Sequence, residues 1–501
     1  MKRMSGYTIF VDVEDLFQYC EANPRPSGIQ RQVFELLKVL PGCASNLPTK
    51  PKIVFVRQGA SDPLLEVKFD AIHSLFENLT GTIVKESGAS KTHRSASLPL
   101  KERVSFRQRL QRLRHHVIFY LEGRPAPIAD PLLRAGVFQI RALRLARRAW
   151  QKRHRTKVVP MAAAPAVQPV QKRSAPPQSH ASSRSLGKPG DIFLILGAPW
   201  AREGFGERLR VLRDTIGLRP VLLVYDLIPV RRPEWCAHSL VTSFSRWLEE
   251  TLPHCADLMA ISDATARDVN DFVQARGLTL QQPIRTVPLG TGFGAVAEAG
   301  QPSHVTPGLP KPGSYVLFVS TIEARKNHIL LFRVWSRLLR DKPRSEVPTL
   351  VFAGRVGWLV ADLMQQLENT EYLSGAIRLI ADPTDAELMS LYEGCRFTVF
   401  PSLFEGWGLP VSESLALGRP CVASHATAIP EAGGELTRYF DPENEDDAYR
   451  VLRSVIEDEA GLDAWRTRVR KEFVPTPWSM TAAAVLKTCE CAVSGVKESA
   501  L

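Results

Sequence analysis

No apolar run in this chain approaches the roughly 18 residues that a membrane-spanning helix needs. The longest, such as Ile192–Leu196 and Val221–Tyr225, are strand-sized. Cysteine is scarce: 8 residues in 501, scattered singly except for Cys489 and Cys491, with no metal-ligand spacing. That usage implies a reduced, cytosolic compartment and ordinary core cysteines. The opening MKRMSGYTIFVDVED, which runs from two positive charges straight into acids, reads as a poor signal peptide. What is present in quantity is apolar side chain, 44% of the residues, enough for sizeable cores in two or three domains.

The net charge of +12 is not spread evenly. Residues 101–190 hold 20 Lys or Arg against 3 Asp or Glu, a net of +17, so the rest of the chain is at −5. Within that segment Phe106, Leu110, Leu113, Val117 and Tyr120 fall on one helical stripe, with Arg103, Arg107, Arg109, Arg112 and Arg114 around it. Val137–Trp150 repeats the basic-amphipathic pattern, and 158–190, rich in Ala, Pro, Ser and Gln, reads as a flexible linker. Basic amphipathic helices suit anionic lipid, at about 1 kcal/mol per basic residue near the surface. The expectation is therefore a peripheral protein whose residues 101–157 rest on the inner face of the plasma membrane. A helical insertion with a solvated basic face is the plainer reading. Nucleic acid is not expected, because aromatics are not interleaved with the charges and no reading module is visible.

One stretch, Phe397–Ser424, carries the chemistry. It opens as a buried strand, Phe397–Phe400, stopped by Pro401. It continues into a helix with Pro410 near its first position and Gly418 just past its end. The turn between has two glycines, Gly406 and Gly408, which let backbone N–H groups approach a ligand; a helix N-terminus adds positive potential there. Glu405 and Glu413 bracket the turn, and a carboxylate accepts neighbouring hydroxyls well. Amides for an anion between two hydroxyl acceptors describe a nucleotide-sugar site. A capped strand–turn–helix, with Glu413 favourable near the helix start by about 0.3–1 kcal/mol, fits the spacing equally well.

The wording of the stretch separates the two. EGWGLPVSE, with Glu405 and Glu413 seven residues apart, resembles the E-x7-E signature of family 4 retaining glycosyltransferases, with Trp407 where Phe is usual. STIEARKN, around Arg325 and Lys326, is similar to the G-T-L-E-P-R-K-N segment of the same family, with Ser320 and Ala324 in place of Gly and Pro. The resemblance implies an α/β chain of GT-B fold: two Rossmann-like, doubly wound domains facing each other across a cleft, here with a basic helical and flexible insertion in the first. It implies catalytic roles for Glu405, Arg325 and Lys326, and donor binding by Glu413, Gly406, Gly408, Leu409, Ser320 and Thr321. No metal or other cofactor is expected: the paired-Asp motif of metal-dependent transferases is missing, and two cations plus helix dipoles would take the cation's place. The partners implied are a nucleotide-diphosphate sugar, with mannose favoured, and a glycan or lipid-linked saccharide acceptor. The work implied is transfer with retention in cell-surface or exopolysaccharide synthesis. A nucleotide-sugar epimerase of the same fold and an inactive membrane scaffold are the alternatives.

In chain order, residues 1–100 give the first part of the acceptor domain. Tyr7–Val11 reads as a strand, followed by a loop carrying Asp12, Glu14 and Asp15, and then a helix from Ser27 or Gly28. RPSGIQRQVFELL resembles the family's SGI-R segment, which puts Gly28 and Arg31 on the acceptor side. After the insertion and linker at 101–190, residues 191–295 resume the α/β rhythm, with strands at Asp191–Leu196, Val221–Val224, Leu258–Ile261 and Ile284–Leu289. Asp226 ends one of these strands and is a third acceptor-side candidate, or a turn cap. Tyr225 stands where the family often has His, so no base is assigned in this domain. A hinge at 296–313, the nucleotide-sugar domain at 314–475, and a final helix and tail at 476–501, which the resemblance has crossing back to the first domain, complete the chain.

Overall fold

The structure is a computed structural model that describes residues 6–23, 25–58, 64–80, 187–292 and 308–494. The basic segment 101–157 and most of the linker and hinge lie outside these residues.

The described chain forms two sheets, each covered on both faces, which is why their strands are near-continuous apolar runs. The first has the order β3-β2-β1-β4-β5-β6-β7. Its strands are β1 (Thr8–Asp12), β2 (Lys52–Arg57), β3 (Leu65–Val67), β4 (Ile192–Ile195), β5 (Arg219–Val224), β6 (Asp257–Ala260) and β7 (Arg285–Thr286). All neighbours are parallel except the short edge strand β3, which the sequence pattern does not show. β1 is central, with Ile9 paired to Ile53 on one side and Ile192 on the other. The long chain between β3 and β4 therefore leaves the sheet's register untouched.

The second sheet is wholly parallel, in the order β10-β9-β8-β11-β12-β13. It comprises β8 (Tyr315–Val319), β9 (Thr349–Ala353), β10 (Ile377–Ile380), β11 (Thr398–Phe400), β12 (Cys421–Ser424) and β13 (Thr437–Phe440). The chain winds outward from β8 to β10, then returns to the other side of β8. The reversal point lies between β8 and β11, and ligands of open α/β sheets bind beyond the carboxyl ends of the strands at such a point. The helix after β8, His328–Asp341, buries Leu331, Val334, Trp335 and Leu338 against the sheet.

The helix Trp478–Ser494 closes the first domain. It packs on the helix Gly28–Ser45 and on β4, β5 and β6, burying Val485, Leu486 and Cys489. The region after β1 differs from expectation. Glu14–Ala22 is a helix, not a loop, and Asp12, Glu14 and Asp15 are buried. Asp12 pairs with Arg202 at 2.5 Å, Glu14 with Arg57 at 2.8 Å, and Asp15 accepts the Ala198 amide at 2.9 Å. Buried acids need such partners. The last strand of the domain is also shorter than Ile284–Leu289, pairing only over Arg285–Thr286. Among the described residues no helix is long and apolar enough to cross a membrane.

Candidate active site

β8 ends at Val319, and the chain turns through Ser320–Glu323 into a short 3-10 turn, Ala324–Lys326. Asn327, at φ 59°, reverses the backbone and starts the next helix. β11 ends at Phe400 and leads through Ser402 to Glu405. Because β8 and β11 are neighbours, the two turns meet. The Leu403 amide donates to the Arg325 carbonyl at 2.9 Å. Arg325 Nη1 reaches Glu405 Oε2 at 2.8 Å and the Phe404 carbonyl at 2.5 Å, and Arg325 Nη2 reaches Glu323 Oε1 at 2.7 Å. Lys326 Nζ lies 2.5 Å from Glu405 Oε1, which also accepts from Ser402 Oγ at 2.6 Å.

This is a dense charge cluster and not a solvated basic turn: the Arg325, Lys326 and Glu405 side chains are only 14, 13 and 11% exposed. Burial pushes the Glu405 carboxyl up, but Arg325 and Lys326 outweigh it and hold the group at about 2. Burial and the neighbouring Arg325 depress the Lys326 ammonium. Asp226, from the turn after β5, lies close enough to feel Arg325, Glu405 and Lys326; burial raises its pKa, against the Ile228 amide that donates to Oδ1 at 3.0 Å.

Glu413, in the helix Leu409–Ala416, has different company. Tyr392 Oη donates to Glu413 Oε2 at 3.0 Å. Burial raises this carboxyl to about 7, and the Tyr392 hydroxyl and the charge of Arg31 draw it back only in part. Arg31 itself forms a two-pronged pair with Asp385, at 2.8 and 3.1 Å. The would-be Cβ of Gly28 lies 3.6 Å from Leu409 Cδ1. Gly28 and Arg31 thus stand against the second domain at the Glu413 end, while Asp226 stands at the Glu405 end. The three acceptor-side candidates do not form one cluster.

The glycines divide in the same way. Gly408, at φ +118°, starts the helix in a conformation that disfavours other residues. Gly406 serves close approach between domains: a Cβ there would fall 2.1 Å from the Tyr225 carbonyl oxygen. Its place is the domain contact, where an open phosphate-facing surface was expected. Thr265 Oγ1 donates to the Tyr225 carbonyl at 3.1 Å and to the Gly406 carbonyl at 3.4 Å. Trp407 packs on both domain cores. The Ser320 hydroxyl lies 3.3 Å from the buried His328 ring. Thr321 stands close to Gly357, where an added Cβ would lie 2.8 Å from Thr321 Cγ2.

Several residues escape sequence reasoning: Glu323 and Ser402, which brace the cations and Glu405; Thr427, whose hydroxyl takes the Glu405 amide at 2.9 Å; and Tyr392 and Asp385. Glu323 stands inside the STIEARKN segment and Ser402 inside Phe397–Ser424, but the others come from turns and helices with no local signal. Glu431 is a further one. Its carboxylate crosses to the other domain and accepts the Asp263 and Ala264 amides at 2.7 and 2.8 Å, next to the Ser262 cap of the helix Asp263–Ala275. Among the described residues no cluster of three or more His, Cys, Asp or Glu is arranged to hold a metal ion.

The two cations, Glu405 and Glu413 on the β8 and β11 turns of a doubly wound domain are now placed. Residues 302–472 match the family described as Glycosyl transferases group 1. The chain is 26% identical over 285 residues to the serotype-specific mannosyltransferase WbdA of Escherichia coli, covering 55% of this chain and 34% of that protein. It is 27% identical over 252 residues to an O-antigen chain mannosyltransferase B of the same organism, covering 50% of this chain and 63% of that one. It thus spans between about a third and two thirds of the length of these relatives. A trehalose-phosphate synthase structure from Burkholderia vietnamiensis is similar at 14% identity and a TM-score of 0.46, covering 63% of this chain and 74% of that one. The group 1 match spans β8 through β13, the domain that contributes Arg325, Lys326, Glu405 and Glu413.

Proposed function

We propose that the chain is a retaining glycosyltransferase. It would move a sugar, mannose being favoured by the similarity to the two Escherichia coli mannosyltransferases, from a nucleotide diphosphate to a hydroxyl of a glycan or lipid-linked saccharide. The observation that carries the reading is the buried Arg325–Glu405–Lys326 cluster at the reversal point of the second sheet. Two cations, held in place by one ionised carboxylate, suit a leaving group whose negative charge grows as the bond breaks. In the reaction the bond between the anomeric carbon and the diphosphate oxygen breaks. A bond to the acceptor oxygen forms on the same face, and the acceptor's proton departs with the diphosphate. In this reading Glu405 orients both cations, Glu413 receives the ribose hydroxyls, and Asp226 holds the acceptor hydroxyl. Two domains meeting over the cluster exclude water, which protects the donor from hydrolysis. No metal is required in this scheme.

The test is a thermal-shift panel of nucleotide sugars, followed by product analysis with saccharide and lipid-linked acceptors. Stabilisation by one donor and a product of retained configuration are expected. A panel without any stabilising nucleotide sugar would sink the reading, and conversion of the donor sugar without an acceptor would replace it with epimerisation. The basic segment adds a second arm: a variant lacking residues 101–157 is expected to keep nucleotide-sugar binding and lose affinity for anionic liposomes. The intact protein's liposome binding should fall steeply with salt. This would place a cytoplasmic enzyme of cell-surface or exopolysaccharide synthesis at the inner face of the plasma membrane, near its acceptor.

A further inference from the structure

After β6 the chain turns at Ser262 into the helix Asp263–Ala275, whose first amides need partners from outside the helix. The first domain supplies one of them: Ser262 Oγ accepts the Thr265 amide at 3.0 Å. The Asp263 and Ala264 amides go to the other domain. Both are taken by Glu431, one on each carboxylate oxygen, at 2.7 and 2.8 Å. A carboxylate in that place is favoured by the helix dipole as well as by the two bonds. Arg267, 4.0 Å from the same carboxylate and 69% exposed, adds little. Glu431 stands in the helix Ile429–Gly433, after β12. Four residues earlier, Thr427 clamps Glu405: its hydroxyl accepts the Glu405 amide at 2.9 Å and donates to the Glu405 carbonyl at 2.8 Å.

We propose that Glu431 is a positioning residue: a helix cap that the second domain supplies to the first, and that holds Asp226 against the Glu405 turn in the geometry transfer requires. The inference rests on the transferase reading. Residues 427–431 grip in two places, the Glu405 backbone through Thr427 and the other domain's helix through Glu431. The same helix start is tied to the strand end before Asp226, since the Thr265 hydroxyl donates to the Tyr225 carbonyl at 3.1 Å. Between the two grips the domains touch without slack. A Cβ on Gly406 would lie 2.1 Å from the Tyr225 carbonyl oxygen and 2.9 Å from Asp226 Cβ. Freedom of the helix at Glu431 is therefore passed to Asp226, on the far side of that contact from Glu405. Among the described residues the bonds of Glu431 reach helix amides and Arg267 and none of the charge cluster. Its effect on the reaction thus passes through other residues. Parting the domains would return two amides and a carboxylate to water, so the cap favours the arrangement in which the domains meet.

Variants of the full chain test this, each checked for folding by circular dichroism. Hydrogen–deuterium exchange is read on the peptide that spans β6 and the helix Asp263–Ala275. In Glu431→Ala the Asp263 and Ala264 amides should exchange about tenfold faster, with the rest of the first domain unchanged. Turnover should fall about tenfold while GDP and UDP titrations match the wild type, the split that separates lost positioning from lost structure. Glu431→Gln, which keeps one carbonyl oxygen for one amide, should lie between. Asp263→Pro removes one of the two amides at the helix's first position, where proline is accommodated and the preceding Ser262 is already extended. Measured against Asp263→Ala, it should lower turnover in the wild-type background and not in Glu431→Ala, as one shared contact demands. Wild-type exchange in Glu431→Ala overturns the cap. Faster exchange with wild-type turnover overturns the positioning role. If the wild type itself transfers no sugar, the transferase reading fails and the positioning role with it, while the exchange result still decides the cap.

Discussion

Glu405 and Glu413 stand seven residues apart on one turn and helix, and both carboxyls are buried. At the Glu405 end two cations lie within 2.8 Å, and the carboxyl stays ionised down to about 2. At the Glu413 end the nearest donor is a neutral tyrosine hydroxyl, the nearby arginine is spent on Asp385, and the carboxyl is lifted to about 7. Desolvation is the largest influence on both, so the partners decide the outcome. The contrast separates the two groups: Glu405 is a fixed charge that organises two cations, and Glu413 is a buried carboxyl without a charged partner of its own among the described residues.

Removing the fixed charge should do most damage. Glu405→Ala leaves Arg325 and Lys326 buried together without their common partner, and breaking a buried pair costs about 3–5 kcal/mol. Denaturant unfolding should show a loss of that size together with loss of turnover; a change below about 1 kcal/mol would remove Glu405 from its organising place. Lys326→Ala comes next. Glu405 keeps Arg325, so the protein should stay folded, while turnover falls on the order of 100-fold or more and donor KM changes little. Turnover within twofold of the wild type would refute leaving-group stabilisation. Glu413→Ala should weaken donor binding by about 2–3 kcal/mol, read by titration calorimetry, and wild-type affinity would end its assignment to the ribose.

The pH responses sharpen the same contrast. Glu413 binds its proton more tightly in the folded protein than its ordinary 4.5, so its contribution to stability is complete below about 4.5 and is lost as pH rises to about 7. Glu405 is the reverse: its contribution is present above about 4.5 and is lost as pH falls towards 2. Asp15 and Asp268, both raised to about 6, act in the same direction as Glu413. The measurement is therefore the difference between wild type and Glu413→Gln in urea midpoint from pH 5 to 8. A difference that does not vary with pH would contradict the raised carboxyl. The smallest effect belongs to the Arg31–Asp385 pair, about one-third exposed at each partner. A double-mutant cycle should return about 0.2–1 kcal/mol, and a coupling above about 2 kcal/mol would make that pair a main tie between the two domains.

How much of this was legible depends on how far along the chain each partner lies. The strands β8 and β11 read directly from YVLFV and the run into Phe400, and a parallel sheet obliges their following turns to share an edge. The meeting of Arg325 and Lys326 with Glu405 could thus be inferred. The direct ion pairing could not, because it depends on side-chain reach across that edge. Gly406 looked like a ligand-facing glycine, since nothing nearby in sequence announces the Tyr225 carbonyl. Asp12, Glu14 and Asp15 read as loop residues because the arginines that pair with Asp12 and Glu14 stand 190 and 43 residues away. Tyr392 gave no signal at all: an inward tyrosine on a helix reads as core until its hydroxyl's partner is known.

The seam between β1 and β4 has an evolutionary consequence. Backbone and side-chain rivets across it, Thr8 to Asp191, Asp12 to Arg202 and Asp15 to Ala198, hold the two halves of the first domain together whatever chain joins them. For a flexible connection, lengthening from ten to about a hundred residues costs only on the order of 2 kcal/mol more in closure entropy, since the entropy grows with the logarithm of length. The first sheet therefore keeps its register at this seam independently of the connecting chain, which makes the seam a position suited to insertion.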